Sequence, residues 1–354
     1  MPTNASTIAK IGVLEFRYGN SSRFKKHLQR TGSYAINIGD WIQSFAVESL
    51  VKRIRGAEFD ITRIDRDSLP SYQGPPVKLI MNACFTAHCF PLPSQIEPIF
   101  IGFQTSNPEL IREHVEFFTG HQPIGCRDTT TRDLFLAQGV DAYVTGCLTM
   151  SLPKREVQPQ TRKTFLISGS GAGEMPKQLR KYCPPPVLQN SIKKYQREQM
   201  PACPLRDEDV LMAMRLAEEL LKTYQEEASL VVTPLLHAAG PCIAMGIPVI
   251  LARKDFNDRF TAISRVLPIH TPRDFTVINW NPQCPDLSEL KECLQSLVMR
   301  ALEGNGPSVS QRNFLKEFYE KEYGPTHQLI AARETRESLS IWRRLPLLKY
   351  MFRA

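Results

Sequence analysis

Residues 228–253 read ASLVVTPLLHAAGPCIAMGIPVILAR. The β-branched apolar run Leu230-Val231-Val232 passes through Thr233 and Pro234 into His237 and a series of small residues, and a second apolar run, Pro248-Val249-Ile250-Leu251, follows. Two short apolar runs with a small-residue helix between them spell a β-α-β unit. Ligands of such units bind beyond the carboxyl ends of the strands. His237 is therefore expected at the crevice, near the first turn of a helix whose N–H groups and dipole favour an anion. Taken alone, a histidine after a strand is more often a satisfied local hydrogen bonder than a catalyst, so the surrounding chain has to decide.

Immediately upstream, Val210, Met214, Ala217, Leu220, Leu221 and Tyr224 line one side of an amphipathic helix over residues 207–225. Residues 164–168, TFLIS, form an earlier strand that leads into Gly169-Ser170-Gly171-Ala172-Gly173-Glu174. That glycine-rich stretch lacks the G-x-G-x-x-G spacing and is read as a plain turn. The proline-rich and then basic residues 182–199 are read as a mobile surface segment. Beyond the central unit lie residues 275–278, the loop Asn279-Trp280-Asn281-Pro282 and a helix over 287–302.

The first 150 residues repeat the alternation. A strand at 11–16 precedes a basic loop with Arg17, Arg23, Lys25, Lys26 and Arg30, then Asn37-Ile38-Gly39-Asp40 and an apolar-periodic helix with Asp40 as its N-cap. Strands are expected at 59–64, 77–81, 99–103, 123–126 and 142–144, and helices at 107–118 and 129–138. Strands alternating with helices argue an α/β protein with largely parallel sheets. The polar, proline-containing residues 151–163 read as a linker. The expected organisation is an N-terminal Rossmann-like domain over 1–150, a C-terminal one over 164–310, a cleft between them, and a helical C-terminal segment over 311–354.

The chain has 354 residues, 42% hydrophobic and 23% charged, with a net charge of +8. That composition is ordinary for a globular protein, and the modest positive charge favours anionic ligands without arguing for nucleic acid. No zinc finger, RNP-like pattern or long basic arm is present, so no nucleic-acid partner is expected. The N-terminus, MPTNASTIAKIGVLEF, lacks the pattern of a secretory signal, no run is long and apolar enough to span a bilayer, and nine cysteines are scattered without a CxxC pair. These features point to a cytoplasmic protein with reduced thiols. Cys84, His88 and Cys89 lie close in sequence but have no second ligand pair, so no metal is expected. Four cations interleaved with apolar residues over 341–353 suit either an anionic membrane surface or a segment docked on the protein body.

Asn37, Gly39 and Asp40, Cys126-Arg127-Asp128 before a helix, VVTPLLHAAGPCIAMGIPVI, and INWNP followed by residues 287–291 occur in this order along residues 10–300. Together they resemble the polysaccharide pyruvyltransferase family. The resemblance implies two Rossmann-like halves arranged like GT-B glycosyltransferases. It also implies transfer of the enolpyruvyl carbons of phosphoenolpyruvate onto two hydroxyls of a sugar, in a cell-surface polysaccharide or its lipid-linked precursor, at the inner membrane face. Phosphoenolpyruvate is then a co-substrate, and no cofactor is implied.

His237 matches the histidine of the family's Ser-x-Arg-Leu-His-Ala segment, where it is implied to bind the donor phosphate or carry a proton. Thr233 replaces the serine, and Leu235 stands where the family has arginine. Three readings of Leu235 stay open: another cation among Arg127, Arg253, Lys254 and Arg259 substitutes, the donor differs, or catalysis is lost. Arg127, Thr233, His237, Arg253, Lys254 and Arg259 are the expected donor-side residues, and Asn37, Gly39 and Asp40 the acceptor side. Arg127 beside Asp128 also suits a loop-fixing ion pair, Arg253 and Lys254 a solvated strand end, and Asn37 with Asp40 a turn and helix cap. A second departure is Thr145-Gly146-Cys147-Leu148, where many relatives carry aspartate-proline. The competing functions are a GT-B-like glycosyltransferase using a nucleotide sugar and a non-catalytic glycan-binding protein.

Overall fold

The computed structural model describes residues 10–159 and 163–320. In chain order the first part runs β1 (Lys10–Glu15), α1 (Ser22–Thr31), β2 (Tyr34–Asn37), α2 (Ile38–Arg55), β3 (Ile61–Asp65), β4 (Val77–Ile80), β5 (Ile96–Ile99), α3 (Pro108–Glu113), α4 (Val115–Gly120), β6 (Ile124–Cys126), α5 (Thr129–Leu136) and β7 (Ala142–Val144). The remainder runs β8 (Lys163–Ser168), α6 (Pro185–Gln189), β9 (Ser191–Tyr195), β10 (Arg197–Met200), α7 (Asp207–Glu227), β11 (Ala228–Thr233), α8 (Leu236–Ala244), β12 (Val249–Ala252), β13 (Ile269–His270), α9 (Ser288–Leu302) and α10 (Val309–Glu320).

Two parallel sheets carry the architecture. One has the order β3-β1-β4-β5, the other β13-β12-β11-β8-β9. The short parallel pair β6-β7 continues the first sheet through Gly125 N–H to Phe100 O and Phe103 N–H to Gly125 O. The fold is mixed α/β with parallel sheets, as the alternation predicts, and buried Val, Ile, Leu and Phe fill the strands because parallel sheets are covered on both faces. The quoted stretch is the expected unit: β11 leads through α8 into β12, and the two strands pair in parallel, with Val231 opposite Val249 and Thr233 opposite Leu251.

A third, antiparallel pair joins β2 to β10, with Asn37 opposite Arg197 and Tyr34 opposite Met200. It ties the start of α2 to the second sheet, because Ile38 N–H donates to Gln196 O and Gln196 N–H to Ser168 O. Residues 182–199 are therefore not the mobile segment expected from their prolines and charges. They hold α6, β9 and most of β10, stabilised by pairing that no local pattern announces.

Other elements shift for local reasons. The basic loop after β1 contains α1, capped by Ser21 at its start and by Gly32, at φ 75°, at its end. The N-cap of α2 is Asn37, whose side chain accepts from Gly39 N–H, so Asp40 lies in the first turn instead. The helix expected over 107–118 breaks at His114 into α3 and α4. β5 ends at Ile99, short of the expected 99–103 strand, and residues 275–277 form a 3-10 turn. Along the stretch read as a linker, Arg155 is buried, donating its side chain to Ala228 O and its N–H to Met245 O. The basic residues 341–353 lie outside the described residues. Among the described residues no helix is long and apolar enough to cross a membrane.

Candidate functional site

Where β11 ends, Thr233 Oγ1 accepts from Leu235 N–H at 3.0 Å and turns the chain into α8. No side chain caps α8, so its first N–H groups are available to an anion. His237 lies in that first turn, only 5% exposed, with its Nε2 unpartnered. Pro241 sits four residues on and has no N–H for His237 O. Gln196 fills the gap by donating Nε2 to His237 O at 3.2 Å. From the other side Gly39 packs so closely that a Cβ built there would lie 2.9 Å from His237 Cβ and 3.2 Å from its Nδ1. The imidazole is thereby packed against α2, and the His237 backbone is tied to the residue between β9 and β10.

Burial holds the His237 pKa well below its ordinary value, and Arg127 and Arg259 push in the same direction. The ring is neutral at physiological pH, with one nitrogen open to accept a proton or a hydrogen bond. It borders a cavity of about 460 Å³ lined also by Asn37, Arg23, Arg197, Arg253 and Arg259, the tip of β11 at Pro234 and Leu235, and Gly169, Ser170 and Gly173. Among the described residues no aspartate or glutamate lines this cavity. Four arginines without a carboxylate make it a strong attractor for anions.

The expected donor-side residues separate into different environments. Arg259 borders the cavity, and among the described residues its guanidinium has no hydrogen bond or ion pair. Arg253 also borders it, but its guanidinium donates to Pro234 O and Asp255 O and stacks 3.8 Å from the centre of the Phe260 ring, so it braces the strand end. Lys254 points elsewhere, pairing with Glu174 at 3.2 Å and reaching Gly171 O at 3.4 Å. Thr233 shapes the turn without lining the cavity.

Arg127 lies behind this cavity in an adjoining chamber of about 20 Å³, shared with Gly146, Thr149, Gly240, Leu236 and Arg259. Leu236 and Arg259 border both spaces. Arg127 is 1% exposed, and all three guanidinium nitrogens lack a partner. Asp128 does not pair with it. Its Oδ1 accepts from Thr131 N–H at 2.8 Å as the cap of α5, and its Oδ2 is unpartnered. Burial raises the carboxyls of both Asp128 and Asp40, against the pull of nearby arginines. Asp40 accepts from Tyr18 OH at 3.0 Å and Asn37 Nδ2 at 3.2 Å, which makes it a support for Asn37 and not a wall of the cavity.

Leu235, at the position of the missing arginine, packs against the glycine-rich turn, where a Cβ on Gly173 would meet its Cδ2 at 2.8 Å. Leu235 leaves no room for a side chain at Gly173, and the turn borders the cavity, which its reading as a plain turn did not anticipate. Gln196, Arg197 and Arg23 also reach the site without having been singled out for it; they depend on the β2-β10 pairing and on α1. Away from the cavity, ligand atoms of Asp67, His88 and Cys89 lie within 4.8 Å of one another. Arg66 already contacts Asp67 Oδ1 at 2.7 Å, so a cation there would have to displace a guanidinium.

The model of the polysaccharide pyruvyl transferase family matches residues 99–252. The match covers Arg127, Thr233 and His237 and stops before Arg253, and it supports a transferase of the pyruvyl transferase type. No curated protein matches the chain. Among solved structures, an uncharacterized protein from Klebsiella pneumoniae subsp. pneumoniae is similar at 13% identity and a TM-score of 0.39, over 70% of this chain and 85% of that one.

Proposed function

We propose that this chain transfers the enolpyruvyl group of phosphoenolpyruvate to two hydroxyls of a sugar, forming a pyruvate ketal on a cell-surface polysaccharide or its lipid-linked precursor. The observation that carries the reading is the buried, neutral His237 with a free Nε2, set at an uncapped helix start in a cavity that, among the described residues, arginines line and no acid does. The family match over residues 99–252 agrees with it. In this reading the two Rossmann-like halves face each other across the cavity in a GT-B-like arrangement.

The donor's phosphate and carboxylate lie at the junction of cavity and chamber, contacted by Arg259 and the first N–H groups of α8. Arg127 supplies positive charge from behind, through a region of low dielectric. The first sugar hydroxyl adds to the carbon bearing the phosphate, and its proton passes through His237 Nε2 to the methylene carbon, which becomes a methyl group. The second hydroxyl displaces the phosphate and its proton leaves with it, so the products are the ketal and inorganic phosphate. His237 acts here as a general base and then a general acid. The donor's negative charge offsets the arginine field and raises the imidazole pKa as the complex forms.

Phosphate release from phosphoenolpyruvate tests the reading. It is expected only with an acceptor glycan present, to be lost in His237→Ala, and to place one solvent deuterium in the ketal methyl when run in D2O. Full activity of His237→Ala removes the histidine from the mechanism. A second reading, transfer from a nucleotide sugar, draws support from the glycine-rich turn after β8 bordering the cavity. Thermal shift separates the two, because a ligand at 100 times its Kd stabilises by about 2.7 kcal/mol.

A further inference from the structure

The cavity is larger and more positive than the donor requires. A volume of about 460 Å³ falls within the range of roughly 300–1,000 Å³ that encloses drug-sized ligands, of which a three-carbon phosphate ester fills a small part. Its inner end is the part that shares Leu236 and Arg259 with the Arg127 chamber. Arg23, Phe24 and Ala35, from α1 and β2, border the cavity but not the chamber, and so does Arg197, which β10 holds opposite Asn37. Among the described residues neither Arg23 nor Arg197 has an ion-pair partner or a side-chain hydrogen bond. α1 carries Arg23, Lys25, Lys26 and Arg30 and no acidic residue, and none of its residues is buried. The helix packs Phe24 and Leu28 against the core on one side and sets Arg23 at the cavity.

We propose that this outer end, bounded by Arg23, Arg197 and the turn at Gly169, Ser170 and Gly173, binds the diphosphate group of a sugar substrate. Two guanidiniums match two adjacent phosphates, since each guanidinium offers a planar fork to phosphate oxygens. Within the turn the N–H groups of Gly169 and Gly173 are taken by Gly173 O and Ser170 O, which leaves Ser170, whose N–H and hydroxyl have no partner among the described residues, to face a phosphate. A neutral sugar alone gives no use for these two charges, and Arg127 and Arg259 already answer the charge of the donor at the inner end. Assigning the diphosphate to the sugar acceptor rests on the transferase reading; the subsite itself does not.

Calorimetric titration of the full chain at low ionic strength with inorganic pyrophosphate provides the test, comparing wild type with the double variant Arg23→Gln/Arg197→Gln. Both side chains are at least partly exposed, so the variant is expected to melt with the wild type. Pyrophosphate affinity is expected to fall at least tenfold, while phosphoenolpyruvate affinity changes less than threefold and the two ligands bind together. Equal pyrophosphate affinity in variant and wild type, or mutual displacement of the two ligands, overturns the proposal. Repeating the titration with a short-chain prenyl-diphosphate sugar and with UDP-glucose identifies the carrier. A tenfold loss confined to the prenyl compound assigns the subsite to a lipid-linked acceptor, and one confined to UDP-glucose assigns it to a nucleotide sugar. If pyrophosphate still depends on the two arginines while phosphoenolpyruvate fails to bind at all, the transferase reading falls and the diphosphate subsite stands.

Discussion

Replacing Arg127 with methionine should make the protein more stable and less able to bind its donor. The guanidinium is 1% exposed and unpartnered at every nitrogen, so the folded state carries the desolvation of a charge with no direct partner. Exchanging buried charged groups for apolar residues of similar volume stabilises by about 1–4 kcal/mol in favourable cases. The lower half of that range is expected, because Arg127 also holds down the buried carboxyls of Asp40 and Asp128. With an unfolding entropy of about 2.1 cal/mol/K per residue over 354 residues, 1–2 kcal/mol raises Tm by roughly 1–3 °C. The methionine removes the field behind the donor, and loss of one charge-assisted interaction, about 1.5–3 kcal/mol, weakens donor binding by roughly ten- to a hundredfold. Scanning calorimetry of the free protein and titration with phosphoenolpyruvate measure both. A fall in Tm of several degrees with unchanged donor affinity would refute the reasoning, since Arg127 would then be a structural cation.

Acid should weaken the fold through its buried histidines. Burial lowers His270 from its ordinary 6.5 to about 4, so the unfolded imidazole takes up a proton before the folded one, and stability is full above pH 6.5 and lost as pH falls toward 4. His270 alone contributes about 3 kcal/mol to that loss, and His237, shifted the same way, adds to it. The raised carboxyls of Asp40 and Asp128 take up protons earlier in the folded state and offset part of the loss. Chemical denaturation at pH 7 and pH 5 checks the direction, and His270→Phe should flatten the dependence. Gly39→Ala forces a Cβ to 2.9 Å from His237 Cβ, which should cost about 1–3 kcal/mol in stability and lower kcat more than it raises KM. Leu235→Arg restores a cation beside the cavity and should tighten phosphoenolpyruvate binding; no gain in a titration would mean that Arg259 and the α8 terminus already hold the anion.

The β11-α8-β12 unit was legible because its periodicity is local: apolar β-branched runs, a small-residue helix, and a histidine at the turn between them. The alternation in the first half gave the parallel α/β class for the same reason. What local pattern could not convey was the outer wall of the cavity. β9 and β10 are short, half-buried and charged, and they exist because β8 and β2 pair with them. α1 fully buries no residue and has only Phe24 and Leu28 as a short apolar stripe, with Ser21 and Gly32 marking its ends. Chain position near a strand end did not tell which cations face inward. Arg253 and Lys254 are neighbours, yet one braces Pro234 and the other pairs with Glu174, while Arg259, further along, borders the cavity with its guanidinium unpaired. The departure at Leu235 from the segment the sequence resembles was visible, but the packing of that side chain into a glycine turn needed the tertiary structure.

The most direct test of the central claim is a titration of phosphoenolpyruvate into wild-type protein and into His237→Ala, which keeps the Cβ against Gly39 and removes only the imidazole. The account predicts saturable binding to the wild type, accompanied by proton uptake as the His237 pKa rises, and loss of that uptake together with at least a tenfold loss of affinity in the variant. Equal binding and equal proton uptake in the two proteins, or no binding to the wild type at millimolar donor, would contradict it.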